Sequence, residues 1–263
     1  MLYMNLNSLK KQHKNISEVK DTFISNISHE LKTPLFNIKS FIETLYEFYD
    51  TLDYHEHLEF LKIIIKETNR LNRLINDLLD LSSLETKKIY IFSFININDI
   101  IYEIINLNYI VIRKKKITFF LEKFKNLPLV YTNYDLFVQI LINLISNSLK
   151  FTFNKGNVGV RIYLIEIDTS ITNKIWKEKN IYNKQIRIEI SDSGIGITKN
   201  NYNYIFEKFI KIENKIHNIK GTGLGLALVK NIIKNHDSEI FLHSEYIIGT
   251  TFWFDFKIHN QQS

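Results

Sequence analysis

The first 85 residues carry an apolar repeat that restricts the fold more than any other feature of the sequence. Four apolar residues at the start recur every seven positions, which is the spacing of a helical seam of coiled-coil type. They are Leu2, Leu9, Ile16 and Phe23. The helical period continues beyond them and ends near Asp50–Asp53, so the chain is predicted to begin with one long helix.

A second long helix is predicted from about Tyr54 to Glu85, where apolar residues alternate at spacings of three and four. A short turn would join the two helices into a hairpin, and two amphipathic helices alone leave an apolar stripe uncovered. A second copy of the chain would cover that stripe by forming a four-helix bundle. The sequence therefore predicts a homodimer, with residues 1–17 as a linker helix and residues 18–86 as the dimerisation hairpin.

The pattern changes after Lys87–Lys88, and residues 89–263 are predicted to form a mixed α/β domain. Helical patterns cover Asn98–Asn106 and Asp135–Lys150. Strand patterns cover Val158–Ile165, Gln185–Ser191, Glu239–His243 and Thr250–Ile258. The segment Asp168–Lys184 is rich in asparagine and lysine and has little periodicity, so it is predicted to be an exposed hairpin insertion.

Composition excludes several classes of protein. The chain contains no cysteine, which rules out disulfides, thiolate metal sites and a cysteine nucleophile. Its net charge of +6 is spread along the chain rather than gathered in one block, which argues against nucleic-acid binding. With no long apolar run, this segment is expected to be soluble and intracellular. Lysine far outnumbers arginine and alanine is nearly absent, a bias that suits an A/T-rich genome such as an algal plastid, but equally several bacteria and protists.

A histidine on the first helix is predicted to face solvent. His29 follows Ile27 by two residues and precedes Leu31 by two, and the helical turn of about 100° per residue points it away from the apolar seam. Glu30 is adjacent and Thr33 lies one turn later, so a carboxylate and a hydroxyl accompany one nucleophilic nitrogen. Taken alone, such a group is also typical of an ordinary solvated helix face.

Polar groups in the second domain suit a nucleotide. Asn143, Asn147 and Lys150 share one face of a predicted helix, where an amide oxygen could bind Mg²⁺ and an ammonium could neutralise phosphate. Taken alone, a solvated helix face is the default interpretation of these residues. Asp192 ends a predicted strand and leads into Gly194 and Gly196, whose lack of a Cβ atom allows close approach of a planar ligand.

A second glycine-rich segment lies further along the chain. It contains Gly221, Gly223, Leu224 and Gly225. It does not match a dinucleotide-binding fingerprint, because Leu226 stands where the third glycine would be and no strand precedes it.

Taken together, these segments resemble the transmitter core of the sensor histidine kinases of two-component systems. The string His29–Leu35 resembles the H box, in which the histidine is phosphorylated, and Leu71–Ser82 resembles the returning dimerisation helix. Four later segments resemble, in order, the N, G1, F and G2 boxes of the ATP-binding domain. They are Gln139–Thr152, Ile190–Ile197, Ile205–Phe209 and Gly221–Leu226.

The resemblance implies an α+β fold, in which a dimeric helical hairpin is followed by an α/β sandwich ATP-binding domain of the Bergerat type. It implies ATP and Mg²⁺ as cofactors, with Asn147 on the metal, Asp192 on the adenine amino group, and Thr198–Lys220 as a mobile lid. The residues implied in ATP binding are Asn143, Asn147, Lys150, Asp192, Gly194, Gly196, Phe209, Gly221, Gly223, Leu224 and Gly225.

The resemblance also implies roles on the first helix and partners outside the chain. His29 would attack the γ-phosphorus, Glu30 would bond the other ring nitrogen and accept its proton, and Thr33 would position water for regulator dephosphorylation. The phosphoryl group would pass to an aspartate of a separate response regulator, and an upstream sensor module is not recognisable. A catalytically silent dimeric scaffold of the same fold is the alternative. Another ATPase of this fold, such as a chaperone, is disfavoured by the H box and the hairpin.

Overall fold

The structure is a computed structural model that describes residues 2–85, 90–123, 127–166, 184–211 and 221–258, with backbone alone for residues 2–23 and 85. The chain divides into two compact units, Met1–Asp80 and Leu81–Ser263. Among the helices that the structure describes, none combines the length and apolar character that a membrane crossing needs.

The first unit is an antiparallel helical hairpin. Helix α1 (Leu2–Glu47) continues through Pro34, and helix α2 (Tyr54–Glu85) returns beside it. The turn ends in a reciprocal cap, since Asp53 Oδ1 accepts from the Glu56 N–H at 2.8 Å and Glu56 Oε2 accepts from the Asp53 N–H at 2.9 Å. The predicted start and end of α2 agree with the structure, whereas α1 ends a few residues before the predicted Asp50–Asp53.

The hairpin buries only part of its apolar surface. Leu74 is fully buried, and Phe41 packs against Phe60 with ring centroids 5.3 Å apart. Many other apolar side chains are more than 40% exposed. Together they form a larger exposed apolar surface than a monomeric protein in water usually has. They include Ile24, Leu35, Phe36, Ile42, Leu61, Ile65, Ile75 and Leu79.

The second unit is a mixed sheet covered by helices. A small sheet pairs β1 (Ser93–Ile95) with β3 (Val130–Thr132). The larger sheet has five strands, which are β2 (Thr118–Lys123), β4 (Asn157–Glu166), β5 (Lys184–Asp192), β6 (Ile240–Glu245) and β7 (Gly249–Lys257). They lie in the order β2–β4–β5–β7–β6, with β2 parallel to β4 and the other pairs antiparallel. The helices are α3 (Ile97–Leu107), α4 (Tyr109–Lys115), α5 (Tyr134–Phe151) and α6 (Gly225–Asn235).

The core of this unit lies between the helices and one face of the sheet. Alternate residues of the central strands are buried because successive side chains point to opposite faces. The buried strand residues include Val160, Ile162, Ile188, Ile190, Phe252 and Phe254, and the buried helical residues include Phe137, Ile140, Leu144, Leu228 and Ile232. The packing fixes α5 and α6 side by side on the sheet.

The predicted helices and strands of this unit occur with ends shifted by one or two residues. The structure adds β1, β2, β3 and α4, which the sequence pattern did not predict. All four of these elements are short, at three to seven residues, which leaves little room for a clear period. The predicted insertion Asp168–Lys184 lies outside the described residues except for Lys184, as do residues 212–220 of the predicted lid.

Candidate nucleotide and phosphoacceptor sites

Three polar side chains lie on one side of α5. Asn143, Asn147 and Lys150 are half-buried, whereas Leu144 and Ile145 on the other side are fully buried. The start of the helix is fixed by Asn133, whose Oδ1 accepts from the Leu136 N–H at 3.0 Å. The structure therefore presents an amide, a second amide and an ammonium along one edge of α5.

The glycine loop before α6 lies against these polar groups. A Cβ atom on Gly221 would lie 2.8 Å from Lys150 Nζ, and one on Gly225 would lie 2.5 Å from Asn143 Oδ1. Gly225 is the first residue of α6, so the helix N-terminus and the polar side of α5 are neighbours. Unpaired N–H groups at a helix start favour anions, and a nearby ammonium adds to that preference.

Phe209 is joined to the same loop. Its N–H donates to the Gly223 carbonyl at 2.8 Å, and both residues have left-handed backbone, with φ of 65° and 74°. A Cβ atom on Gly223 would lie 2.8 Å from the Phe209 carbonyl carbon, so only glycine fits there. Leu224, which follows, is fully buried and anchors the loop in the core.

The turn after β5 closes around the end of α5. Gly194 pairs with Thr152 in an antiparallel bridge, and a Cβ atom on it would lie 2.6 Å from the Phe151 carbonyl oxygen. Gly196 has φ of 66°, and a Cβ atom there would lie 1.9 Å from the Glu245 carbonyl oxygen. Glycine is therefore needed at both positions, because a Cβ atom at either one would clash with protein backbone.

Asp192 is a largely buried carboxyl at the end of β5. Burial raises its pKa to about 6, although the Gly194 N–H, which donates to Oδ1 at 2.9 Å, acts in the opposite direction. The Ser148 hydroxyl is near enough to lower this pKa, yet it makes no hydrogen bond of ordinary geometry with any described residue. A buried acceptor beside a buried hydroxyl with no such bond suits a polar ligand edge.

Nucleotide affinity should fall as the pH drops through about 6, the pKa of Asp192. An exocyclic amine donates most strongly to the ionised carboxylate, so the protonated form at low pH binds less well. Calorimetric titration with ADP between pH 5 and 8 measures the change. Asp192→Asn is the control: it keeps any pH dependence of the phosphates and should lack the step near pH 6. A wild-type curve without that step would contradict the role of Asp192.

These groups fit an adenine nucleotide with its metal. The carboxyl with its hydroxyl neighbour offers an acceptor for the base, while Lys150 and the start of α6 suit the phosphates. In the part of the chain that the structure describes, no group of three or more histidine, aspartate or glutamate side chains forms a metal cluster. The amide oxygen of Asn147 is of the type that Mg²⁺ binds, and its role as a metal ligand stays a prediction.

The first unit holds the other predicted site. His29 is exposed, as the helical spacing predicted, and its ring makes no hydrogen bond with the described residues. Thr33 is also exposed, and its hydroxyl donates to the His29 carbonyl at 3.1 Å. A solvent-facing imidazole on a rigid helix can act as a nucleophile toward an incoming electrophile.

Glu30 makes an ion pair across the hairpin. Its carboxylate accepts from Arg70 Nη2 at 3.1 Å across the hairpin, and Arg70 Nη1 also lies 3.4 Å from the buried Glu67 carboxylate. The structure thus pairs Glu30 with α2 rather than with the ring of His29, and its proton-accepting role stays a prediction.

Two supporting residues escaped the sequence analysis. Lys115 Nζ donates to the carbonyls of Leu149, Lys150 and Thr152 at 2.7–2.9 Å and so fixes the C-terminal end of α5. Its partners are more than 30 residues away, and one lysine among many carries no signal of this role. Ser148 lies on the buried side of α5, where a serine is easily read as a small core residue.

Comparisons with known proteins match both units. Residues 19–87 match the family model of the His Kinase A (phospho-acceptor) domain, and residues 132–260 match that of the histidine kinase-, DNA gyrase B-, and HSP90-like ATPase. The chain resembles the sensor-like histidine kinase ycf26 of Pyropia yezoensis, with 48% identity over 92% of this chain and 37% of that protein. It resembles Drug sensory protein A of Synechocystis sp., with 45% identity over 93% of this chain and 36% of that protein.

The chain therefore spans about a third of the length of these relatives. Among solved structures, histidine kinase ThkA in complex with response regulator protein TrrA shares the fold, with a TM-score of 0.67 and 23% identity. That match covers 94% of this chain and 64% of the ThkA chain.

Proposed function

Because the chain belongs to the histidine kinases of two-component systems, as their transmitter core, we propose that it transfers the γ-phosphoryl group of ATP to His29. One observation carries the proposal. The polar side of α5, the carboxyl at the end of β5 and the glycine loop before α6 lie close together within an ATPase-type domain. A silent scaffold would have no need for this convergence or for an exposed histidine.

In the proposed reaction, Nε2 of His29 forms a bond to the γ-phosphorus, and the bond to the bridging oxygen breaks with its electron pair passing to ADP. The proton on Nδ1 passes to the Glu30 carboxylate. Lys150 and the N–H groups at the start of α6 stabilise the charge on the phosphates, and Asp192 orients the base. Bound Mg²⁺ at Asn147 would neutralise phosphate charge.

The proposed partners of the chain are a second copy of itself and a response regulator. The exposed apolar surface of the hairpin supports a homodimer in which a second copy covers it in a four-helix bundle. A response regulator receives the phosphoryl group on an aspartate, as the complex of ThkA with TrrA suggests by its fold. Thr33, one turn after His29, would position the water molecule that hydrolyses the phosphoryl group from the regulator.

Incubation of the chain with ATP labelled at the γ-phosphorus should produce labelled protein whose label is lost in acid and retained in alkali, because a phosphoramidate forms. ATP labelled at the α-phosphorus is the matched control and should leave the protein unlabelled. A chain that binds ATP with Mg²⁺ in calorimetry yet takes up no γ-label would contradict the kinase function and favour the scaffold.

A further inference from the structure

Ser148, on α5, carries a buried hydroxyl group. The side chain is only 2% exposed, and its Oγ atom makes no hydrogen bond with any part of the chain that the structure describes. A buried hydroxyl without a partner costs free energy, because it has given up its hydrogen bonds to water. Alanine would fill the same place in the helix without that cost, so the hydroxyl of Ser148 needs an explanation outside the packing of α5.

Other hydroxyl groups in or at the end of the helices are bonded to their own helix. They donate to the carbonyl four residues earlier, at 2.6–3.1 Å, which is a common bond for serine and threonine in helices. They belong to Ser28, Thr33, Thr44, Thr68 and Thr152. Ser148 does not donate to the Leu144 carbonyl in this way, so its hydroxyl remains available to a group outside α5.

The hydroxyl lies beside the carboxyl of Asp192. It is near enough to lower the pKa of that carboxyl, although the two groups do not form a hydrogen bond of ordinary geometry. Thr152 links their positions, because its hydroxyl donates to the Ser148 carbonyl at 2.6 Å and its backbone pairs with Gly194. The Gly194 N–H donates in turn to Asp192 Oδ1 at 2.9 Å. These bonds hold a hydroxyl donor and a carboxylate acceptor side by side.

Such a pair of groups matches one edge of adenine. That edge presents an amino group, which donates, next to the ring nitrogen N1, which accepts. An ionised carboxylate can only accept, whereas a serine hydroxyl can donate. Guanine presents a carbonyl oxygen next to an N–H group at this edge, so its oxygen would face the carboxylate. A site that hydrogen-bonds both atoms of one base disfavours a base with the reverse arrangement.

We propose that Ser148 is a specificity-determining residue of the nucleotide site, whose hydroxyl donates to N1 of adenine while Asp192 accepts from the amino group. This inference rests on the proposed function and adds to it a second group that reads the base. The hydroxyl gains its partner only when the nucleotide binds, so it adds to affinity without stabilising the empty protein.

Replacement of Ser148 by alanine in the full chain tests the proposal by calorimetry at pH 8, where the carboxyl of Asp192, with a pKa of about 6, is ionised. Affinity for ADP should fall about fivefold, which corresponds to the loss of one hydrogen bond. The analogue 1-deaza-ADP has a C–H group in place of N1 and cannot accept. The wild-type chain should bind it about fivefold less tightly than ADP, whereas Ser148→Ala should bind both within about twofold of each other.

Two further measurements separate base reading from a structural role. Without nucleotide, the midpoint of urea unfolding of Ser148→Ala should equal or exceed that of the wild type, because the described structure loses no hydrogen bond. Ser146→Ala is the matched control. Ser146 is exposed on the same helix, and its hydroxyl donates to the Asn143 carbonyl at 3.3 Å. The affinity of this variant for ADP should stay within about twofold of wild type.

Three results would overturn the role of Ser148. They are equal losses of affinity for ADP and 1-deaza-ADP in Ser148→Ala, a wild-type chain that does not distinguish the two ligands, and a lower urea midpoint for the empty variant. A loss of ADP affinity near pH 6 that disappears at pH 8 would also overturn it, by showing that the hydroxyl acts only on the ionisation of Asp192. A chain that binds ADP as expected yet takes up no γ-label would lose the kinase function and keep this inference.

Discussion

Replacement of His29 by glutamine should reduce γ-label uptake to background while nucleotide affinity stays within about twofold of wild type. Glutamine has a similar reach, but its amide nitrogen is delocalised and cannot attack phosphorus. The side chain at position 29 is exposed, so the change costs the hairpin little stability. The nucleotide-binding groups belong to the second unit and are untouched by the change.

Phosphorylation is measured as label lost in acid and kept in alkali, and affinity is measured by calorimetry with ADP. His55→Gln is the matched control, because His55 is another exposed histidine of the same hairpin and should keep full labelling. Label that persists at the wild-type level in His29→Gln would show that another residue is the acceptor.

The sequence predicted structure best where the apolar repeat of a helix continues over many turns. The alternating spacing of apolar residues predicted both ends of α2, and the pattern of α5 predicted its polar side and its buried side. The end of α1 was predicted less well because the chain leaves the helix through a local turn, in which the Thr51 and Leu52 N–H groups donate to the Phe48 carbonyl, and not at a change in the apolar pattern. Elements as short as β1 and β3 exist through their pairing with each other, which sequence spacing does not reveal.

The glycines of the candidate site were predicted, but for a different reason from the one the structure gives. The sequence suggested that Gly194 and Gly196 make room for a ligand, whereas the structure shows that protein backbone fills the space where a Cβ atom would stand. Arg70 and Lys115 carried no sequence signal, because each acts on groups more than 30 residues away in the chain. Roles of this kind depend on tertiary contacts and can be seen only after folding.

Replacement of Gly196 by alanine should lower nucleotide affinity by at least about thirtyfold and destabilise the second unit by about 2–5 kcal/mol. Two costs add: a residue with a Cβ atom is strained at φ of 66°, and the new methyl carbon would lie 1.9 Å from the Glu245 carbonyl oxygen. Backbone cannot move aside as a side chain can, so the turn after Asp192 must be displaced. Urea unfolding and calorimetry with ADP measure the two effects.

Gly221→Ala is the matched control from the same site. Gly221 lacks left-handed backbone, and among the described residues a Cβ atom there would meet only Lys150 Nζ, at 2.8 Å. That ammonium ends a flexible side chain, so a small rotation removes the conflict, and stability should change by less than about 1 kcal/mol. Affinity should fall only a few-fold, since the ammonium remains near the phosphates. Equal losses of stability and affinity in the two variants would contradict this explanation. They would show that any added methyl group disturbs the site, whether or not it conflicts with backbone.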